Sequence, residues 1–242
     1  MSSSSENQEI VEYWSRAGTA RGRWRLNLRF WRKRLLWAGI VGGTRAVKRL
    51  MDIVGSAVAL LALSPVLLVT IVLIKLEDGG SIFFCQKRVG RFGKFFGMWK
   101  FRSMVPNADK LKDELLAQNE MSGGITFKMK NDPRITRIGR FIRKYSVDEL
   151  PQFWNVLVGD MSLVGPRPAV TREVQQYLVE DRQRLLARPG LTCFWQVGGR
   201  SGIDFDGQVE LDVRYIQSES VWLDIKLLFK TIPAVLKGDG AF

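Results

Sequence analysis

One long apolar run, Ile53 to Ile74, stands out from a chain whose other apolar residues are spaced at helix or strand period. As a straight helix it would reach roughly 33 Å at ~1.5 Å per residue, enough to cross a bilayer. Ser64-Pro65 lies at its centre. Pro65 cannot donate to the carbonyl four residues back and its ring clashes there, so the pattern predicts a helix–break–helix over 46–76. Upstream, Trp24, Leu28, Trp31 and Leu35 fall on one helical face, and Arg25, Arg29 and Arg32 repeat that spacing beside them. This predicts a basic amphipathic helix over 21–45 lying in a membrane interface. A nucleic-acid-binding arm or a helix packed on the protein's own core would carry the same pattern. Residues 1–20 are polar and read as a disordered tail, without the order of a signal peptide.

Beyond the apolar run the period changes. Ser81–Gly90 and Phe95–Met104 read as two strands, with Gly90 and Gly93 marking the turn. Lys100 and Arg102 alternate with Trp99 and Phe101, which would make one strand face cationic. A polar helix from Asp109 to about Asn119 ends before Gly123-Gly124, and Lys128–Arg134 reads as a loop. Helices are then predicted over Ile135–Lys144, Glu149–Val158, Ala169–Ala187, residues 206–218 and Val221–Leu236, the last interrupted by Pro233. Residues 188–202 read as a Gly-rich, aromatic loop. The last helix is apolar enough to lie on either a membrane or a core.

Composition narrows the classes. The 242 residues are 46% hydrophobic and 25% charged, as in a folded chain, with a net charge of +13. That charge suits anionic lipid, a phosphate-bearing substrate or nucleic acid. Residues 1–52 carry 11 Lys/Arg against 4 acids, and Lys75, Lys87, Arg88, Arg91 and Lys94 follow the apolar run. With both flanks basic, both ends of the run belong on the cytoplasmic side, which a hairpin entering one leaflet satisfies. An ordinary kinked transmembrane helix is the alternative. There is no histidine, and Cys85 and Cys193 belong to no metal-binding cluster, so a zinc site is excluded.

Without histidine, acid–base or nucleophilic work falls to groups such as Asp148 and Glu149, which follow Arg143 and Lys144 and precede Arg167, held between Pro166 and Pro168. Ser146-x-x-Glu149 also fits a capping box, and Asp148 could itself cap the next helix. Against capping alone stand the flanking arginines, whose forks bind phosphate. A carboxylate among arginines is expected to stay ionised, free to act as nucleophile or magnesium ligand. Two acids and several cations make a phosphoryl-transfer site.

These residues carry a resemblance. Lys48-Arg49-Leu-Met-Asp52, Ser64-Pro65, Gln86-Lys-Arg-Val-Gly90, Lys100-Phe-Arg-Ser-Met104, Ser146–Pro151, Asn155–Pro168 and Arg188-Pro-Gly-Leu-Thr192, in that order over about 46–238, resemble the bacterial sugar transferase family of monotopic phosphoglycosyl transferases. The resemblance implies transfer of a sugar-1-phosphate from a nucleoside-diphosphate sugar, a UDP-sugar foremost, to polyprenyl (undecaprenyl) phosphate, as the first membrane step of exopolysaccharide or glycoconjugate synthesis. It makes Asp148 the nucleophile and Mg2+ ligand, and Glu149 a base or positioning group. Lys100, Arg102, Arg143, Arg167 and Arg200 become the phosphate- and substrate-binding cations, and Ser64-Pro65 the re-entrant break. The family's glycine after Arg-Pro-Gly-Leu-Thr is Cys193 here, and its Asn-Gly-Arg-Asn region is Gly198-Gly199-Arg200-Ser201. That loop is expected to face the donor or a partner subunit, and a homodimer is compatible with it. The expected fold is α/β and monotopic: a re-entrant hairpin plus a small, mainly helical domain (77–242) with a short β-hairpin, on the cytoplasmic face of the bacterial inner membrane. The partners are nucleotide-sugar, polyprenyl phosphate and anionic lipid, not nucleic acid. The rival reading is a membrane-anchored, non-enzymatic binder of nucleic acid or lipid.

Overall fold

The computed structural model describes residues 19–106, 108, 111, 132–198 and 202–237. The tail over 1–18, most of the helix expected at 109–119, the Gly123-Gly124 break, the first part of the 128–134 loop and Gly199–Ser201 lie outside the described residues. The chain divides into two compact units, Met1–Lys48 and Arg49–Phe242. Helix α1 (Ala20–Ala62) begins in the first and is continuous through the boundary expected at 45/46. Within the first unit Trp24, Leu28 and Trp31 are exposed.

Helix α2 (Ser64–Asp78) follows after Leu63. The segments Gly42–Ala62 and Ser64–Asp78 meet at a 59° bend. The bend has a local cause. Pro65 has no N–H for the carbonyl of Leu61, and the Ser64 hydroxyl donates to that oxygen instead, at 2.8 Å. No single described helix is long and apolar enough to cross a membrane, whereas this bent pair passes together. Leu61, Leu68 and Leu76 are each more than 60% exposed, so much of the pair's apolar surface is unburied.

The predicted hairpin forms as β1 (Phe83–Val89) and β2 (Phe95–Phe101), joined by a 3-10 turn at Arg91–Gly93. The strands are antiparallel, with Phe84 opposite Lys100. Next come α3 (Arg137–Lys144), a 3-10 turn Val147–Glu149 and α4 (Gln152–Val158). Then follow β3 (Ser162–Val164), β4 (Ala169–Val170), α5 (Thr171–Val174) and a 3-10 segment Asp181–Leu186. The chain continues through β5 (Gly190–Thr192), α6 (Phe194–Gly198), α7 (Phe205–Ser218) and α8 (Val221–Lys237). One sheet has the order β2-β1-β4; in the other, β3 and β5 pair in parallel.

Two expectations are corrected. The single helix over Ala169–Ala187 does not form. Ala169 and Val170 instead extend the sheet beside Val89 and Arg88, and the Val170 N–H donates to the Glu173 carboxylate. Arg184 is drawn into the core onto Asp212, at 2.6 Å. A buried ion pair cannot be left half-made, and its tertiary demand overrides helix propensity. The loop over 188–202 is likewise more regular than expected, since it contains β5 and α6.

The main core gathers Met98, Val156, Met161, Leu163, Val164, Cys193, Tyr215 and Leu227. A second cluster of Ile74, Phe101 and Ile142 joins α2, β2 and α3. Helix α8 packs on the core through Leu227, while Trp222, Phe229 and Ile232 stay exposed. The Lys48–Asp52 motif has a structural use. Arg49 donates to the carbonyls of Val156 and Leu157 at the end of α4, both at 2.7 Å. Asp52, 1% exposed, accepts from the Ser162 hydroxyl and the Leu163 N–H.

Candidate active site

The chain enters the site through the basic last turn of α3, which carries Arg143 and Lys144. Ser146 then turns left-handed, with φ +55°, a conformation that costs a non-glycine residue about 1–3 kcal/mol. The strained reversal feeds the 3-10 turn bearing Asp148 and Glu149. Ser146 makes no side-chain cap and α4 begins only at Gln152, after Pro151. Neither the capping box nor Asp148 as a cap of that helix is formed, because the left-handed residue and the 3-10 turn come between them.

Lys100, on β2, meets this turn. Its Nζ donates to Glu149 Oε1 at 2.6 Å and stands 3.9 Å from Asp148 Oδ2. Lys100 and Asp148 are nearly buried, whereas the Glu149 side chain is 38% exposed. The two acids therefore titrate apart. Burial pushes the Asp148 carboxyl up, and the pull of Lys100 does not reverse it; the charge on Glu149 adds to the rise. Desolvation also opposes ionisation of Glu149, but Lys100 first and Arg167 next hold that carboxyl well below the usual range. The neighbouring cations thus prevail over burial at Glu149 but only offset part of it at Asp148.

Lys100, Glu149, Gln152, Arg167 and Leu191 line one cleft. Arg167 lies over the Trp195 ring, 5.7 Å from its centroid. A tight backbone crossing sets its position: the Gly190 N–H donates to the Pro166 carbonyl and the Gly165 N–H to that of Thr192, both at 2.9 Å. A Cβ on Gly190 would stand 2.1 Å from the Gly165 nitrogen, so only glycine fits. Arg143 is close enough to Asp148 to favour its ionised form. The structure thus brings together Asp148, Glu149, Lys100, Arg143 and Arg167. It does not bring in Arg102, which pairs with Asp78 through both guanidinium nitrogens, Nη1 to Oδ2 at 2.8 Å, and ties β2 to the end of α2. Arg200 lies outside the described residues. Cys193 is buried in the core and does not line the cleft.

Three neighbours escaped the sequence reading. Arg88 is 7% exposed and, among the described residues, bonds the neutral groups Gln86 Oε1 and the Pro168 carbonyl. Burial, then the charge of Arg167, lowers its pKa to about 10. It clamps the segment carrying Arg167, and its place in Gln86-Lys-Arg-Val-Gly90 was the available signal. Asn155 Oδ1 accepts from the Trp99 N–H at 2.9 Å and its Nδ2 donates to the Gly97 carbonyl at 2.7 Å, which steadies β2 just before Lys100. Gln152, a polar residue in the apolar stretch Leu150–Val158, is buried against the cleft.

Among the described residues no three metal-ligating side chains cluster. Asp148 and Glu149 nevertheless supply adjacent hard oxygens, and magnesium is commonly held by one or two carboxylates with substrate phosphates completing its shell. The donor set fits that ion.

The bacterial sugar transferase profile matches residues 43–238. The chain is 49% identical over 195 residues to "Galactosyl transferase CpsE" of Streptococcus agalactiae, covering 80% of this chain and 43% of that one. It is 47% identical over 202 residues to "Undecaprenyl-phosphate galactose phosphotransferase" of Salmonella typhimurium, covering 82% and 42%. "Exopolysaccharide production protein ExoY" of Sinorhizobium fredii is 41% identical over 198 residues, covering 81% of this chain and 88% of its own. The chain thus spans about two-fifths of the length of the first two relatives. On residues 43–238 it belongs to the bacterial sugar transferase family.

Proposed function

We propose that the chain transfers a sugar-1-phosphate from a nucleoside-diphosphate sugar to undecaprenyl phosphate, at the cytoplasmic face of the bacterial plasma membrane. The observation that carries this reading is the cleft in which Lys100, Glu149 and Arg167 meet beside the buried Asp148. The names of the relatives supply the lipid acceptor and the sugar class.

In this reading an Asp148 oxygen attacks the sugar-bearing phosphorus of the donor. The bond from that phosphorus to the bridging oxygen breaks, and the nucleoside monophosphate leaves with its electron pair. A phosphosugar remains on Asp148 as an acyl phosphate. A phosphate oxygen of the lipid then attacks the same phosphorus, Asp148 departs as carboxylate, and the lipid-diphosphate sugar is formed. Glu149, held ionised, orients the Lys100 ammonium rather than acting as a base, because a carboxyl with a depressed pKa is a poor proton acceptor. Lys100, Arg143 and Arg167 balance the charge of the diphosphate. Asp148 and Glu149 would hold Mg2+, which supplies further neutralisation of that charge. The bent helix pair sits in one leaflet as a re-entrant hairpin, and the basic surface faces anionic headgroups.

The test is a panel of nucleotide-sugars with undecaprenyl phosphate and magnesium, read as nucleoside monophosphate released. Asp148→Asn is expected to abolish release. With donor alone, the intact protein is expected to gain the mass of one phosphosugar on Asp148. Near-normal turnover in the variant sinks the mechanism.

A further inference from the structure

Gln152 opens α4, four positions beyond Asp148. It is 4% exposed, and its Nε2 has no hydrogen-bond partner among the described residues. The same residue lines the cleft with Lys100, Glu149 and Arg167. A buried donor left unsatisfied is destabilising, so such groups call for an explanation, and proximity to reacting atoms is a common one. Folding does not supply it. Trp154, two residues on, stays exposed while the amide is buried, and an apolar side chain of similar volume would fill the space without the penalty.

We propose that Gln152 is a further catalytic residue whose amide N–H donates to a non-bridging oxygen of the phosphoryl group attacked by Asp148. This rests on the function proposed above. The division of labour follows from charge. Lys100 and Arg167 attract the donor's diphosphate at every stage and contribute to ground-state binding. A neutral donor adds little to the capture of a dianion from water. Fixed in a nearly dry wall, it acts where negative charge builds on the phosphoryl oxygens during displacement. Its removal therefore falls on kcat rather than KM. The protein carries the cost of the orphaned donor in the free state.

The test uses the full chain in a bilayer mimic with magnesium, undecaprenyl phosphate, and UDP-galactose and UDP-glucose as separate probes. Gln152→Leu is expected to lower kcat by about 10²-fold for every donor that the wild type uses, with KM within about threefold. Its melting temperature is expected to equal or exceed that of the wild type, because the unsatisfied amide is gone. A purely structural role would instead lower it. A kcat within about threefold of wild type overturns the proposal. So does a loss confined to one sugar, which would assign the amide to a sugar hydroxyl, or a loss that tracks reduced thermal stability. An inactive wild type overturns the proposed function and this inference together; an active wild type with an equally active Gln152→Leu overturns the inference alone.

Discussion

Asp148 and Glu149 are chemically alike and adjacent, yet burial on one side and Lys100 on the other drive their ionisation apart. For Asp148 the sign is unfavourable to the fold. Its folded pKa is raised, so its contribution to stability is present below the unfolded value and is lost as pH rises through the folded one. Asp148→Asn is therefore expected to melt above the wild type at about pH 7.5, with the gap closing towards about pH 4, while transfer is absent throughout. Thermal melts across that range check it, and a variant less stable than wild type at neutral pH would contradict it. In the wild type the acid limb of the rate profile should lie above the ordinary aspartate range. Lys100→Met removes the main group holding Glu149 ionised and is expected to lower kcat by about 10²-fold, measured as nucleoside monophosphate release. The dyad was legible in the sequence as adjacent acids among arginines. Which acid is buried was not, because serine has no local preference for the left-handed turn found at Ser146.

Elements whose signals are local were read correctly. Gly90 and Gly93 mark the hairpin turn, and Pro65 breaks the long apolar run. Elements specified by distant partners were not. Nothing near Arg184 announces Asp212 as its counter-ion, and nothing near Val170 announces the edge of β1, so the segment 169–187 reads as helix and folds otherwise. The parallel pair β3 and β5 is too short for any periodicity. The break at Pro65 makes its own prediction. Pro65→Ala restores an N–H for the Leu61 carbonyl and is expected to straighten the pair towards a span. In a Cys85→Ser, Ser5→Cys background, the amino-terminal thiol should then become partly accessible from the opposite side of the membrane to an impermeant reagent; unchanged labelling would refute the re-entrant reading. Asp52 fastens α1 to β3. Asp52→Ala is expected to cost about 2–3 kcal/mol by leaving the Leu163 N–H and Ser162 hydroxyl unmet, whereas Asp52→Asn keeps an acceptor and costs less, by thermal melts in detergent.

Over the whole molecule, a charge of +13 and exposed apolar residues at Leu61, Leu68, Trp222, Phe229 and Ile232 favour one kind of surface, apolar within and anionic at its face. Flotation with vesicles containing about 30% anionic lipid is expected to weaken between about 0.05 and 0.5 M salt without being lost, since screening removes the electrostatic part and leaves the apolar part. Complete release at high salt would contradict a buried hairpin. Composition favours such a surface, but does not announce how the strand bearing Lys100 is kept intact. Among the described residues β2 pairs with β1 alone, and its other side is an edge of the sheet. There Asn155 occupies the Trp99 N–H and the Gly97 carbonyl with an amide that imitates a neighbouring peptide. An open edge is a template for another molecule's strand. With those two groups occupied, the asparagine works as a stopper against self-templated pairing along this edge.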